Sequence, residues 1–384
     1  MSNRRIAISN STFLAIGVAG ALALLLWQLQ SLLVVLAIAV VLAATLAPVV
    51  ATGEQIGLPR WLAVLLVYLG LLGSLTGLGL LIGPTVFSQI QRLAGRLPVY
   101  LEVLQSLAEN WLMGTGLTEP SAVEQIERIL DVQGLAAWAL RSSQQLIVRS
   151  YGVTRSFLGG TLSLVLAVLL SAYMLAGSEQ LIESITRLFP HPWDERLAAQ
   201  VKPVSDRMGG YIQGRVLVSG ILAIATSIGL SFLGLSEFAL GLGAIAGITN
   251  LIPFFGPVLG AIPALIVATA QGGWTFLWVV LLFALVQNVE TYVLDPLLVG
   301  NTVRVLPLYQ LLAVLGGAQV LGIIGALIAP PWVAGASVLL NNLYVQPKLL
   351  AEDSSCENVA SSQQEGDNRK ASIQTPPKTA SCDE

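Results

Sequence analysis

The stretch from Gly247 to Pro263 reads GITNLIPFFGPVLGAIP and lies within a long, uncharged, apolar segment. Pro253, Pro257 and Pro263 interrupt this stretch, and proline in a helix interior removes a backbone hydrogen bond and clashes with the preceding turn. At membrane depth, irregular backbone survives only where it is buried in protein or lines a water-filled cavity, because lipid offers N–H and C=O groups no partner. The stretch therefore predicts an interrupted membrane segment, and a pathway is the first functional hypothesis.

The composition of the whole chain indicates the same environment. Hydrophobic residues make up 55% of the sequence and charged residues only 11%, and the mean hydropathy is +0.77. A soluble domain does not bury so large an apolar excess. The two longest segments without Asp, Glu, Lys or Arg are 6–53 and 238–289, and each exceeds the roughly 20 residues that one helical pass requires. The predicted fold class is an all-α, polytopic integral membrane protein.

The sequence predicts about eight transmembrane helices. The sixth and eighth of these are long and are interrupted, at Pro253/Pro257 and at Pro330/Pro331. Either segment is therefore a bent helix, a pair of half-helices or a re-entrant hairpin, and hydropathy does not choose among these. The spans are expected near 12–29, 31–50, 61–83, 156–177, 212–233, 238–270, 274–293 and 308–345.

Four regions follow from this span pattern. The first three spans occupy 1–83, an extramembrane amphipathic helical region occupies 84–154, and a transmembrane core with a cytoplasmic helical island at 178–211 occupies 155–345. The tail at 346–384 is polar and is predicted to be disordered, because it offers too little apolar surface to offset ordering.

The orientation follows from the basic residues of the short loops, which favour the cytoplasm. An uncleaved first span is preferred to a signal peptide, because the apolar run continues beyond a normal signal length. The protein is therefore expected in an inner or plasma membrane with both termini cytoplasmic. The basic residues that decide this are Arg4, Arg5, Arg60, Arg187, Arg196, Lys202 and Arg207.

Each of the two polar regions has two interpretations. The region 84–154 is either a helical cap on the membrane domain or an amphipathic surface that lies in the lipid interface or joins subunits. The island at 178–211 is either a solvated helix hairpin that leads into the fifth span or a gating element. The sequence favours the cap and the solvated hairpin.

The sequence contains none of the common motifs for metal binding, nucleotide phosphate binding or serine hydrolysis. His191 is the single histidine, and there is no CxxC, HExxH, GxxxxGK[ST] or GxSxG sequence. We therefore expect no enzyme activity, no metal and no cofactor. The expected partners are the lipid bilayer and a small-molecule or ion substrate, nucleic acid is not expected, and assembly into a homo-oligomer stays open.

Polar residues inside apolar surroundings are the candidate site, because intramembrane ionisable groups are costly and usually face a cavity or a partner. Gln287 and Glu290 are three residues apart and share a helix face, and Asp295 follows in the next short segment. They either present an amide and a carboxylate to a pathway or lie at the membrane boundary, paired there with Arg304. Asn250 either caps the break at Pro253 or donates to a substrate there.

A series of residues in the second half of the chain carries a family resemblance. The series is Gly209, Tyr211 and Gly214; then Asn250, Pro253, Gly256, Pro257, Gly260 and Pro263; then Gln287, Pro296, Gly300, Pro307, Gly316, Gly322, Gly325 and Pro330. With this series the chain resembles the AI-2E family of transporters, also described as autoinducer-2 exporter-like or PerM-type permeases.

The resemblance implies an eight-span permease whose members are associated with export of small molecules, including a quorum-sensing signal, and in some cases with sodium/proton exchange. One departure concerns the acidic residue with which similar proteins often end the fourth span. Here the chain reads Leu175-Ala176-Gly177-Ser178-Glu179, so any role of that carboxylate moves to Glu179 or is missing.

The leading hypothesis is a secondary transporter or facilitator that exports a small polar solute, such as an autoinducer-2-like signal. One alternative is a sodium/proton antiporter that uses Glu290 or Asp295 as the titrating carboxylate. Another is a membrane scaffold without transport activity. The pathway or binding residues expected for transport are Asn250, Pro253, Gly256, Pro257, Gln287, Glu290 and Asp295.

Overall fold

The computed structural model describes residues 25, 28–114, 153–300 and 307–350, and within these ranges the chain is helical and contains no strand. Predictions for most of the first span, for 115–152, for Arg304 and for the tail beyond 350 lie outside the described residues. The helices are α1 Gln30–Gln55, α2 Arg60–Gly114, α3 Val153–Ala176, α4 Ser178–Thr186, α5 Trp193–Phe232, α6 Ala239–Asn250, α7 Phe255–Gln271, α8 Gly273–Val289, π1 Glu290–Gly300, α9 Pro307–Leu340 and π2 Asn341–Val345.

Five of the described helices are long and apolar enough to cross a membrane, and the bent pair α3–α4 makes a sixth. This confirms the all-α polytopic class. Of the eight predicted spans, the first lies mostly outside the described residues, and the sixth is a pair of short helices, α6 and α7. The eight predicted segments are therefore apolar stretches, and not each of them is a single helix that crosses the membrane once.

Helix α2 is longer than the span predicted at 61–83. It runs unbroken through Pro84 and Pro98 and contains 55 residues, which gives it a length of about 82 Å. Its second half reaches the turn between α5 and α6, where Arg96 Nη1 lies 2.9 Å from Glu237 Oε2. Gln89 Oε1 also accepts a hydrogen bond of 2.7 Å from the backbone N–H of Gly241 and so caps the start of α6.

Helix α5 is the central element, and α1 packs closely against it. Pro48 of α1 has no N–H, so the carbonyl of Ala44 lacks its usual helical donor. Gly209 of α5 lies against that carbonyl, so close that a Cβ on Gly209 would be 2.2 Å from the oxygen. The side chain of Gln213 donates a hydrogen bond to the next carbonyl, that of Thr45.

Helices α6 and α7 form the first hairpin, whose turn is 251–254. A Cβ on Gly256 would lie 2.3 Å from the Thr249 carbonyl oxygen, and one on Gly260 would lie 2.7 Å from Ala246 Cα, so the two helices run antiparallel. Helix α6 has 12 residues and is about 18 Å long, which is too short to cross a hydrocarbon core of roughly 30 Å. The predicted interruption at Pro253/Pro257 is therefore a hairpin.

Helix α9 contains the second hairpin, whose turn is at Gly322 (φ 65°, ψ −146°). A Cβ on Gly317 would lie 2.3 Å from the Gly325 carbonyl oxygen and 2.8 Å from Ala329 Cβ. Residues eight apart in one continuous helix are about 12 Å apart, so the two arms fold back on each other. The predicted interruption of this segment is present, but its turn lies at Gly322, while Pro330 and Pro331 are buried within the second arm.

The two hairpins pack against opposite halves of α5. In the first hairpin, Gly247 lies against Ala223 and the carbonyl of Ser219. In the second, Asn342 Nδ2, just beyond α9, donates a hydrogen bond of 2.7 Å to Gln200 Oε1, and Gln310 Nε2 donates one of 3.0 Å to Tyr211 Oη. The middle of α5 is therefore where the two interrupted segments approach each other.

Candidate functional site

A buried polar cluster joins the middle of α5, the tip of the first hairpin and the junction between α8 and π1. Arg215 Nη1 donates to Glu290 Oε1 at 2.9 Å, and Arg215 Nη2 donates to Asn250 Oδ1 at 3.3 Å. Asn250 Nδ2 in turn donates to the same Glu290 oxygen at 3.1 Å. Each of the three side chains therefore contacts both of the others.

All three residues are removed from the protein surface. Exposure is 6% for Arg215, 1% for Asn250 and 3% for Glu290. A buried charge without a partner is strongly unfavourable, and mutual pairing with an additional hydrogen bond offsets much of that cost. The cluster thus allows a cation and a carboxylate to persist within the membrane domain, where such residues usually mark a substrate or ion pathway.

Asp295 is a second carboxylate for the same arginine, and its Oδ1 lies 3.6 Å from Arg215 Nη1. Glu290 and Asp295 are five residues apart, which in an α-helix would place them about 140° apart around the axis. The segment that carries them is the 11-residue π-helix π1, whose hydrogen bonds join residues five apart. The π winding therefore lets both carboxylates face Arg215.

The close approach of α5 and π1 depends on a glycine. A Cβ on Gly214 would lie 2.5 Å from the carbonyl oxygen of Leu298, so no larger residue fits there without movement. Three buried polar atoms in or beside the cluster have no hydrogen-bond partner among the described residues, namely Arg215 Nε, Ser219 Oγ and Asp295 Oδ1. The centre of α5 therefore has hydrogen-bonding capacity that the surrounding side chains do not use.

A cavity of about 330 Å³ adjoins the cluster between α5, the first hairpin and α8. Its polar groups are those of Thr226, Asn250, Gln287 and Glu290, and the rest of its wall is apolar. Among the described residues, Glu290 accepts two side-chain hydrogen bonds, both through Oε1, and its other carboxylate oxygen accepts none. The apolar lining residues are Leu222, Ala246, Pro257, Val258, Ala261, Ile262, Leu265, Phe283 and Val286.

The structure brings together four of the seven residues singled out from the sequence. Asn250, Pro257, Gln287 and Glu290 line the cavity. Glu290 lies inside the protein rather than at an exposed helix end, and Asp295 contacts Arg215. Within the part of the chain that the structure describes, Gln287 makes one side-chain hydrogen bond, in which its Nε2 donates to Thr291 Oγ1 at 3.3 Å.

The two remaining residues, Pro253 and Gly256, shape the turn. Pro253 lies within the turn, next to Phe254, whose φ of 67° is unusual for a residue with a side chain. Gly256 provides the close contact between the arms. Pro257 is in the first turn of α7, where a helix tolerates proline because the missing N–H would have no intrahelical partner. The break itself therefore depends more on Pro253 and Gly256.

Arg215, which contacts Asn250, Glu290 and Asp295, was not among the site residues predicted from the sequence. The predicted fifth span, 212–233, contained this arginine, but the charge-free segment was counted from Val216 and so began one residue after it. An arginine within a predicted span was the available signal, because such residues are rare and usually paired. Its partners are 35 and 75 residues away, and spacing alone does not reveal them.

These observations define the class of the protein. A helical membrane protein with two interrupted segments that meet near a buried ion pair and a cavity has the architecture of a transporter. The model of the AI-2E family transporter matches residues 13–344, and the chain belongs to this family.

Three relatives with similar sequences support the assignment, and their names describe them provisionally as transport proteins. YrrI of Bacillus subtilis is 29% identical, over 81% of this chain and 86% of its own. YueF of the same organism is 28% identical, over 74% and 77%. MT0215 of Mycobacterium tuberculosis is 30% identical, over 82% and 84%. The protein is thus a multi-pass membrane protein of a transporter family.

Proposed function

We propose that this protein is a permease that exports a small polar solute through the cavity at the tip of the first hairpin. The observation that carries the proposal is the Arg215–Asn250–Glu290 cluster, because its members come from three elements and Asn250 and Glu290 also line the cavity. A solute that contacts these two side chains acts on both the hairpin tip and the junction between α8 and π1. Such contacts give a solute the means to favour one arrangement of the hairpin over another.

The lining of the cavity supports an uncharged organic solute with hydroxyl groups. Ligand sites of about 300–1,000 Å³ usually combine apolar walls with a few polar groups that fix orientation. Thr226 and Gln287 offer donors and acceptors, and the second oxygen of Glu290 offers an acceptor. An autoinducer-2-like signal or a related metabolite has this chemistry.

Sodium/proton exchange is the alternative function, with Glu290 or Asp295 as the titrating group. The two carboxylates differ in their surroundings. The Glu290 side chain is 3% exposed and lies 2.9 Å from Arg215, whereas the Asp295 side chain is 42% exposed and lies 3.6 Å from the same arginine. Asp295 is therefore the better candidate for an exchangeable proton or cation. A membrane scaffold without transport activity is disfavoured by the cavity and the polar cluster.

The test is flux into proteoliposomes that contain the purified protein, measured against empty liposomes. The panel compares uncharged hydroxylated solutes with anions and cations of similar size, with and without imposed proton and sodium gradients. We expect protein-dependent flux of the uncharged solutes and no cation exchange. Sodium/proton exchange without solute flux would support the antiporter, and flux of nothing in the panel would support the scaffold.

We also infer that both termini are cytoplasmic and that 84–154 lies on the opposite side of an inner or plasma membrane. Arg60 Nη1 is 3.2 Å from Glu179 Oε1, so the α1–α2 turn and the start of α4 share one side. The positive-inside preference assigns that side to the cytoplasm. An impermeant thiol reagent should label Glu109→Cys in intact cells but Gln180→Cys only after permeabilisation. The reverse pattern would contradict this orientation.

A further inference from the structure

Helix α4 leaves the membrane span α3 at an angle of 83° and therefore runs nearly parallel to the bilayer surface if α3 crosses the bilayer upright. The bend is held by Arg60, whose Nε donates to the Leu175 carbonyl at 3.1 Å and whose Nη2 donates to Ser178 Oγ. The same guanidinium contacts Glu179 and Glu54, so the bend is fixed to the α1–α2 turn. The direction of α4 is thus set by several contacts.

Helix α4 has three distinct faces. Thr186 is buried on the side that packs against α5. Gln180, Glu183 and Arg187 form a second, polar face, where Glu183 and Arg187 make an ion pair. The third face carries an apolar stripe that continues past the helix end, and described residues cover its first residue in part and its later residues progressively less. The stripe consists of Leu181, Ile185 and Leu188, and Leu188 is 81% exposed.

Aromatic residues next to this stripe point to the membrane–water interface. Tyr173, on the last turn of α3, is 79% exposed, and Trp193 at the start of α5 is also exposed. The guanidinium of Arg196 lies 5.8 Å from the centre of the Trp193 ring. Tyrosine and tryptophan concentrate where the acyl chains meet the headgroups, because one end of each ring is apolar and the other forms hydrogen bonds.

We propose that the stripe Leu181, Ile185 and Leu188, together with Phe189 and Trp193, inserts into the headgroup–acyl boundary of the bilayer that α3 crosses. The lipid-facing surface of α3, which includes the exposed Leu169 and Tyr173, leads directly into this stripe. An amphipathic helix in the interface buries its apolar face and keeps its polar face in water. At 3.6 residues per turn, the centre of the polar face of α4 lies about 130° around the helix axis from the centre of the stripe, so the polar face can remain in water while the stripe is buried.

The charges of this segment indicate that insertion depends on apolar contact rather than on attraction to anionic lipid. From Ser178 to Arg196, acidic residues outnumber basic ones, so no excess of positive charge faces the headgroups. The acidic residues are Glu179, Glu183, Asp194 and Glu195, and the basic residues are Arg187 and Arg196. The stripe should therefore insert equally into zwitterionic and anionic bilayers. This inference does not depend on the transported solute.

The test is site-directed spin labelling in liposomes of zwitterionic lipid and of zwitterionic lipid mixed with anionic lipid. Cys356 and Cys382 are first replaced by serine, and single cysteines are then placed at Leu188, at Ile185 or, as the control on the polar face, at Gln180. Collisions with oxygen, which dissolves in lipid, are compared with collisions with a water-soluble nickel chelate.

We expect labels at Leu188 and Ile185 to favour oxygen and a label at Gln180 to favour nickel, with the same depth in both lipid mixtures. Nickel-accessible labels at all three sites would overturn the proposal. So would dipolar broadening between labels at Leu188, because a second copy of the chain would then cover the stripe. A depth that increases with anionic lipid would contradict the apolar mechanism. Because Leu188 and Ile185 are labelled separately, a local effect of one substitution can be recognised by comparison with the other.

Discussion

Arg215 Nη1 lies 2.9 Å from Glu290 Oε1, although 75 residues separate the two in the chain. This contact joins the middle of α5 to the junction of α8 and π1, and Asn250 adds the tip of the first hairpin. Three elements that meet around the cavity are thereby connected through one guanidinium. Stability and transport should both respond when this connection is changed.

Replacement of Arg215 by methionine leaves the charge of Glu290 buried without its partner. Breaking a buried ion pair in this way costs about 3–5 kcal/mol, whereas removal of both charges is often nearly neutral. We expect Arg215→Met to lower the thermal unfolding midpoint in detergent and Arg215→Met with Glu290→Met to restore most of the loss. Arg187→Met, which breaks only an exposed ion pair, is the control. An unchanged midpoint for Arg215→Met alone would mean that the buried pair adds little stability.

Neutral variants of the two carboxylates, Glu290 and Asp295, distinguish solute transport from ion exchange. Glu290→Gln and Asp295→Asn remove the titrating group but keep an oxygen that accepts hydrogen bonds, and each variant leaves one carboxylate for Arg215. We expect each to retain solute flux within about tenfold of the parent, because the amide oxygen of Glu290→Gln can still accept from Arg215 and Asn250, and Asp295→Asn weakens only an ion-pair contact of 3.6 Å. Proton-driven cation exchange should be absent even in the parent. Exchange in the parent that either variant abolishes would establish the antiporter instead.

Gly256 keeps the two arms of the first hairpin in contact. A methyl group at this position would lie 2.3 Å from the Thr249 carbonyl oxygen, so Gly256→Ala should force the arms apart beside Asn250. Overpacking of this kind typically costs about 1–3 kcal/mol. We expect a lower unfolding midpoint and reduced flux. Gly220→Ala, which meets nothing within 4 Å, is the matched control, and equal behaviour of the two variants would contradict the close packing.

The prolines of the same hairpin should maintain the interruption of the helix. Pro253→Ala with Pro257→Ala allows the segment to wind further, because proline in a helix interior costs about 3 kcal/mol or more. We expect reduced flux with normal insertion into the membrane. The single variant Pro257→Ala should have a smaller effect, since Pro257 already lies in the first turn of α7. Unchanged transport by the double variant would show that these prolines do not support the pathway.

The features that could be predicted from the sequence are those that depend on the residue types of a single segment. The break in the first hairpin was visible because Pro253 interrupts an apolar run, and the all-α class was visible from composition. The sequence predicts an interruption of the eighth span at Pro330/Pro331 without choosing between a bend and a hairpin, yet the turn is at Gly322, and one glycine among 37 carries little signal. Prolines also occur inside helices of this protein, such as Pro84, and are therefore an imperfect guide.

The candidate site was harder to predict because it depends on tertiary contacts. Gln287 and Glu290 were found from their spacing on one helix. The role of Arg215 depends on two partners that are distant in the chain, and the pairing with Asp295 requires the π winding of π1. That winding accompanies the contact between Gly214 and the Leu298 carbonyl, which hydropathy and spacing do not encode.

The central claim is that the solute passes through the cavity beside the Arg215 cluster. The most direct test fills this cavity with a larger side chain and measures solute flux. Ala261 lines the cavity, whereas Leu259, on the same helix α7, is exposed and lies outside the lining. In proteoliposomes with equal amounts of protein, Ala261→Trp should reduce flux of the transported solute toward that of empty liposomes, and Leu259→Trp should transport like the parent. Parent-like flux through Ala261→Trp would contradict the claim that the solute passes through this cavity.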